Sequence, residues 1–306
     1  QTPVIPDGDG GTTQRTLDAD KANYATWYSH YRTRIKTAKG GAAEAFNTQA
    51  NKVRVGFRSL HQNGPANSDD NPDYNIPVTD GNDGRFVNND GTNGNPSTTS
   101  RSKWFNRLFR ANSNDGTPLQ SVLNGAGQYF QDATASGPYG PEATANQLSC
   151  RQNFTVLTTD GYWNDGAVST GTLGDGANGS VITNSPVPVG DPNYKTYQYT
   201  RPAPYADGNS NTLADVAMKY WKTDLRPTLD NNVPSEYSKI AAENDLIGKD
   251  PAFWQHMVTF TISIGLKAKS GLSSVSEVTP ATTWAAPGDN DEDNTDDLLH
   301  AAANGR

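Results

Sequence analysis

The sequence predicts an α/β protein built on a doubly wound, mostly parallel sheet, and three observations carry that prediction. The run 154–160, Phe-Thr-Val-Leu-Thr-Thr-Asp, is apolar and β-branched and stops at Asp160-Gly161. Such a pattern describes a buried strand that delivers a carboxylate to the carboxyl edge of a sheet. Residues 256–265 are almost continuously apolar, which predicts a second strand covered on both faces, as parallel strands are. Amphipathic helical patterns lie between and before these runs, and such alternation favours parallel crossovers with helices on the sheet.

The elements follow in order. Residues 1–18 form a Gly-, Asp- and Thr-rich lead-in without periodicity. From 17 to 46, Tyr24, Trp27, Tyr28, Tyr31, Ile35 and Phe46 recur with alanines at three- and four-residue steps. That spacing predicts one long amphipathic helix with Gly40-Gly41 as its weak point. Val53, Val55 and Phe57 alternate with Arg54, Gly56 and Arg58, the pattern of a short strand. Residues 64–100 are almost wholly Asn, Asp, Gly, Pro, Ser and Thr, a surface insertion with no core of its own. Trp104, Phe105, Leu108 and Phe109 would dock a helical turn. Pro118 suits a first helical position, and Leu119, Val122, Leu123, Ala126, Tyr129 and Phe130 mark the stripe that helix buries. A second Gly- and Asn-rich insertion spans 165–210, a helix covers 212–221, and another starts near Asp296. One domain over 1–306 is the simplest organisation, with 270–306 as a linker.

Composition narrows the function classes. Only 33% of the 306 residues are hydrophobic, with 29 glycines and 19 prolines, so the core must be concentrated in a few segments. Lys+Arg 25 against Asp+Glu 33 gives a net charge of −8 without a basic cluster, which argues against nucleic acid as a partner. Cys150 is the one cysteine; no disulfide can form within the chain, and a partly buried thiol is the expected state. No apolar run approaches the roughly 20 residues that span a bilayer. The chain has no initiator methionine and begins on a polar tail, as a mature or excised piece would. Its Asn-, Asp-, Gly-, Thr- and Tyr-rich texture suits an exported bacterial surface protein.

Thr117 and Asp160 each fall where a helix start or a strand end meets the carboxyl edge, the crevice in which open α/β sheets bind ligands. A hydroxyl and a carboxylate are oxygen ligands that a hard divalent cation accepts. Asp-Gly is also ordinary turn chemistry, so Asp160 gains weight only from its company. That company resembles the metal-ion-dependent adhesion site of von Willebrand factor A domains, in which a threonine and an aspartate complete a site begun by an Asp-x-Ser-x-Ser loop. More closely, the chain is similar to the N-terminal region of PilY-type proteins, the tip-associated adhesins and biogenesis factors of type IV pili. The segments that carry this are 23–34 (NYATWYSHYRTR), 54–57 (RVGF), 116–119 (GTPL), 159–164 (TDGYWN), 211–217 (NTLADVA), 254–260 (WQHMVTF) and 296–306 (DDLLHAAANGR). They stand in the family's order.

The resemblance implies a von Willebrand A-like sheet, incomplete at its N-terminus, and a pilus-tip protein of adhesion, assembly and twitching motility. It implies an extracellular place reached through the periplasm, minor pilins and a host or abiotic surface as partners, and a magnesium or calcium ion at the adhesion site. It implies no turnover chemistry. Two departures matter. Residues 1–306 contain no Asp-x-Ser-x-Ser; the family places that loop and a central strand upstream of the tyrosine-rich helix. Thr117 and Asp160 are then two oxygens of about six, and metal binding is expected to be weak or absent in this piece. A partner strand is expected from elsewhere, because a sheet without its central strand exposes unpaired edges. The family's C-terminal propeller would lie beyond Arg306.

Competing readings are weaker. Asp289, Asp291 and Asp293 take the first, third and fifth places of a calcium loop, but Asn294 replaces the turn glycine and His300 the bidentate glutamate. A solvated acidic linker fits better; Asp7 and Asp9 fail in the same way. His30, His61, His256 and His300 form no ligand pattern, and His256 reads as a satisfied core or edge residue. Asp215 and Asp224 do not share a helix face, while Asp207 could reach the metal edge as an outer group. Tyr194, Tyr197, Tyr199 and Tyr205 are either recognition anchors or the packing that pins their own insertion. The alternative function is a secreted α/β hydrolase using Asp160 as base or metal ligand.

Overall fold

The computed structural model describes residues 4–6, 12–14, 16–49, 51–61, 74–88, 99–112, 116–160, 162–163, 166–237, 247–288 and 292–306. The chain divides into two compact units, Gln1–Gln49 and Ala50–Arg306. In the first, β1 (Val4–Pro6) pairs antiparallel with β2 (Thr12–Gln14), followed by α1 (Leu17–His30) and α2 (Arg34–Asn47). The long helix expected over 17–46 is thus two helices, and the break falls at 31–33 rather than at Gly40-Gly41. The cause is capping: the Thr33 side chain accepts from Lys36 N at 3.3 Å, which starts a new helix. Gly40 sits inside α2 because the Tyr31 ring packs where a Cβ would be. No residue of α1 is buried, and Tyr24, Trp27, Tyr28 and Tyr31 line one exposed stripe.

In the second unit the alternation at 53–57 yields isolated bridges, Arg54 to Arg85 and Phe57 to Tyr74, and no strand. Most of the first insertion lies outside the described residues, but 74–88 corrects the expectation that it lacks a core. Val78 and Phe86 are buried, and Trp104 sets its ring edge-on to Phe57 and Phe86 at 6.2 and 5.6 Å. Trp104 belongs to α3 (Ser100–Arg110), a full helix rather than a single turn. Then come α4 (Leu119–Gln131), β3 (Asn153–Thr159), the short antiparallel pair β4 (Ile182–Thr183) and β5 (Thr196–Tyr197), α5 (Leu213–Trp221), β6 (Met257–Ser263) and α6 (Asp293–Gly305). The C-terminal stretch read as linker therefore ends in a helix, and that helix is buried along most of its length.

β3 and β6 run parallel, in register from Asn153 opposite Met257 to Thr159 opposite Ser263. One face of this pair carries the core: Leu157 and Met257 meet Leu119 and Leu123 of α4, Leu213 and Tyr220 of α5, and Leu298 of α6. The α5 start is set by a capping box, in which Thr212 and Asp215 satisfy each other's backbone N–H. The opposite face departs from the expected two-sided burial. Phe154, Val156, Phe260 and Ile262 remain 51, 50, 50 and 48% exposed, with the two phenyl rings stacked at 6.1 Å. Among the described residues this is a small parallel sheet covered by helices on one side.

Candidate functional site at the carboxyl edge

The ladder closes where Ile264 N donates to Thr159 O at 2.9 Å, and the next residue of β3's chain, Asp160, projects exposed beyond the edge. The chain then turns back, because Trp163 is buried in the core and its carbonyl accepts Asn294 Nδ2 from α6 at 3.1 Å. From α4, Gln120 Oε1 accepts Val168 N at 2.9 Å. The starts of α4 and α6 are thereby fastened to the loop that follows β3. Thr117, half-buried, precedes α4, and its carbonyl accepts Leu119 N at 2.9 Å. Among the described residues no three Asp, Glu, His or Cys side chains converge as metal ligands. Thr117 and Asp160 supply two oxygens and do not by themselves make a shell for a hard cation.

Behind that edge lies a buried polar network that sequence reasoning did not assemble. Asp215, besides capping α5, accepts Asp175 N at 2.8 Å. Asp175 is fully buried; its Oδ2 receives Asn304 Nδ2 at 2.8 Å and lies 3.6 Å from His300 Nε2. Burial, then the charges of Asp215 and Asp207, push Asp175 far up from the carboxylate range. Burial drives His300 down, so the ring is neutral, and its Nε2 faces the Tyr205 carbonyl at 2.8 Å while Trp284 stacks on it at 4.4 Å. Asp207, weighed as an outer group of the metal edge, turns instead to His300, 3.6 Å from Nδ1. Lys222 donates to the carbonyls of Gly174 at 2.6 Å and Ala177 at 2.7 Å, and burial lowers it to about 8. Motif 211–217 and motif 296–306 thus meet inside the molecule. The only sequence signal was polar residues recurring within otherwise apolar helical patterns.

The remaining candidates resolve individually. Tyr199 and Tyr205 are buried and Tyr194 and Tyr197 half-buried, so the tyrosines pin the second insertion. Asp224 accepts Arg226 N and Asn231 Nδ2, at 3.0 and 3.2 Å, as a turn residue does. Asp289 and Asp291 lie outside the described residues, and from Asp293 onward the chain is helical. Cys150 is exposed, contrary to the partly buried thiol expected, because its neighbours Ser149 and Arg151 take the inward contacts.

Taken together, these features define an α/β protein with an exposed carboxylate beyond a parallel strand pair. No family model matches the chain, and no solved structure matches it. Among curated proteins, it is 31% identical over 320 residues to the type IV pilus biogenesis factor PilY1 of Pseudomonas aeruginosa strain PAO1, a match covering 96% of this chain and 25% of that protein. The PilY1 protein of strain PAK is 30% identical, with 94% and 24% covered. The chain belongs to the PilY-type type IV pilus proteins. It spans about a quarter of the length of the curated relatives it matches.

Proposed function

We propose that this chain is a von Willebrand A-like module of a pilus-tip protein, acting in surface adhesion and pilus assembly by non-covalent contact. The match of nearly the whole chain to pilus biogenesis factors carries this reading. The exposed Asp160 at the carboxyl edge and the helices stacked on one side of a parallel pair support it. In this reading a strand supplied from elsewhere, by an upstream segment of the same protein or a neighbouring chain, completes a doubly wound sheet, and Thr117 and Asp160 form the downstream pair of an adhesion site for magnesium or calcium. Minor pilins and a host or abiotic surface are the partners, and the module works outside the cell after crossing the periplasm.

Asp160→Ala tests the site. Asp160 is exposed, so its removal should change stability by less than about 0.5 kcal/mol, while divalent-dependent attachment of pili carrying the variant falls at least tenfold. Unchanged attachment in the presence and absence of calcium or magnesium would remove the site. Turnover of a generic ester, phosphate or peptide substrate by the 306-residue chain, abolished by Asp160→Ala, would replace adhesion with hydrolysis.

A further inference from the structure

His256 is 2% exposed, and both nitrogens of its ring face acceptors. Nδ1 lies 2.7 Å from the Trp254 carbonyl and Nε2 lies 2.8 Å from Asp250 Oδ2. A peptide carbonyl has no proton to give, so Nδ1 carries one. Asp250 Oδ1 accepts two N–H groups, Trp221 Nε1 at 3.1 Å and Ala252 N at 3.0 Å, while Oδ2 lies 2.8 Å from His256 Nε2. Those two donors favour the ionised carboxyl group, so the proton shared with Oδ2 sits on Nε2 and the ring is an imidazolium. Burial acts to lower His256, but the charge and hydrogen bond of Asp250 outweigh it and raise the ring above its ordinary 6.5. The same ion pair, with the Ala252 and Trp221 hydrogen bonds, holds Asp250 below 3.8 despite burial.

We propose that Asp250 and His256 form a pH-operated latch on the 250–256 segment, closed while the ring holds two protons and released when it gives one up in alkaline solution. After that loss one N–H must serve two acceptors, and either Trp254 O or the Asp250 carboxylate is left unmatched in the interior. The latched segment carries Phe253 and Trp254, both fully buried. Trp254 stacks on Tyr197 at 5.4 Å and donates from Nε1 to Trp221 O at 3.0 Å. Tyr197 belongs to the second insertion, so the latch sets the footing of that loop. The groups facing His256 from other elements leave Asp250 as its charged partner. α5 presents the Trp221 indole, and β3 presents Asn153, whose amide donates to His256 O at 3.0 Å and to Tyr139 Oη at 2.7 Å. Burial pushes Tyr139 up to about 12, so it stays neutral, with the Arg226 guanidinium stacked 4.7 Å from its ring centre. Asp250, 23% exposed on its side chain, is the route by which the proton leaves.

Nitrogen-detected NMR of the full chain across pH 5 to 10 tests this. Both ring nitrogens of His256 should be protonated at about pH 6, with a midpoint above 6.5, its ordinary value. Proteolysis within 180–205 should rise, and Trp emission shift, with the same midpoint. Asp250→Asn should lower that midpoint by about one pH unit or more. A single N–H on the ring at pH 6, or cleavage in the loop that ignores the His256 midpoint in the wild-type chain, would overturn the latch. Both readouts come from the unmutated protein and are independent of adhesion.

Discussion

Asp297 performs a task that is usually local, from a distance of more than eighty residues. Its two oxygens accept Leu213 N at 2.9 Å and Ala214 N at 3.0 Å, so a carboxylate on α6 satisfies the first turn of α5. Burial pushes it up to about 7 against the opposing pull of those hydrogen bonds. Between 3.8 and about 7 the native state keeps a proton that the unfolded chain has released, so this group makes stability fall as pH rises across that window, with the cost complete above it. Asp297→Asn should flatten the fall by one proton's worth and, because one amide oxygen replaces two acceptors, cost about 1–3 kcal/mol at pH 7. Urea unfolding midpoints at pH 4 and pH 7 check both. The sequence shows an acidic pair at the start of a helix; the helix it caps is invisible without the fold. His256, by contrast, was legible as a satisfied interior residue because a histidine at the mouth of an apolar strand has few other fates.

At the scale of elements, close approach decides which helices can stack. A Cβ at Gly127 of α4 would collide with the Tyr220 ring of α5, and one at Gly305 of α6 would meet Thr259 N of β6 at 2.8 Å. Gly127→Ala should therefore overpack the α4–α5 contact and cost about 1–3 kcal/mol, read as a lower midpoint with an unchanged denaturant slope. β3, β6 and α5 were legible because apolar periodicity reports burial directly. The break between α1 and α2 was not, since one hydroxyl on Thr33 outweighed a continuous apolar stripe. The strand expected at 53–57 failed because its partners, Arg85 and Tyr74, give it single bridges instead of a ladder. The carboxyl edge was legible as a place, through Asp160; the network of Asp175, Asp207 and His300 behind it was not, since its members are far apart in sequence.

Among its described residues the second unit is asymmetric: three helices cover one face of the parallel pair, and four large apolar side chains stand half-exposed on the other. Such a face invites association. Phe154→Thr with Phe260→Thr should lower concentration-dependent association in sedimentation velocity and reduce binding of a hydrophobic dye. The stability cost should stay near 1 kcal/mol, since both rings are already half in water. Association that persists in the double variant would place the self-association surface elsewhere.

The exposed thiol of Cys150 gives the molecule one chemically addressable point. It lies three residues before β3, between Ser149, whose carbonyl accepts Gln255 Nε2 at 2.6 Å, and Arg151, whose guanidinium donates to Gly140 O at 3.1 Å. A maleimide dye attached there would ride on anchored backbone, and the natural chain could be tracked on a single pilus without adding or removing a cysteine in this region.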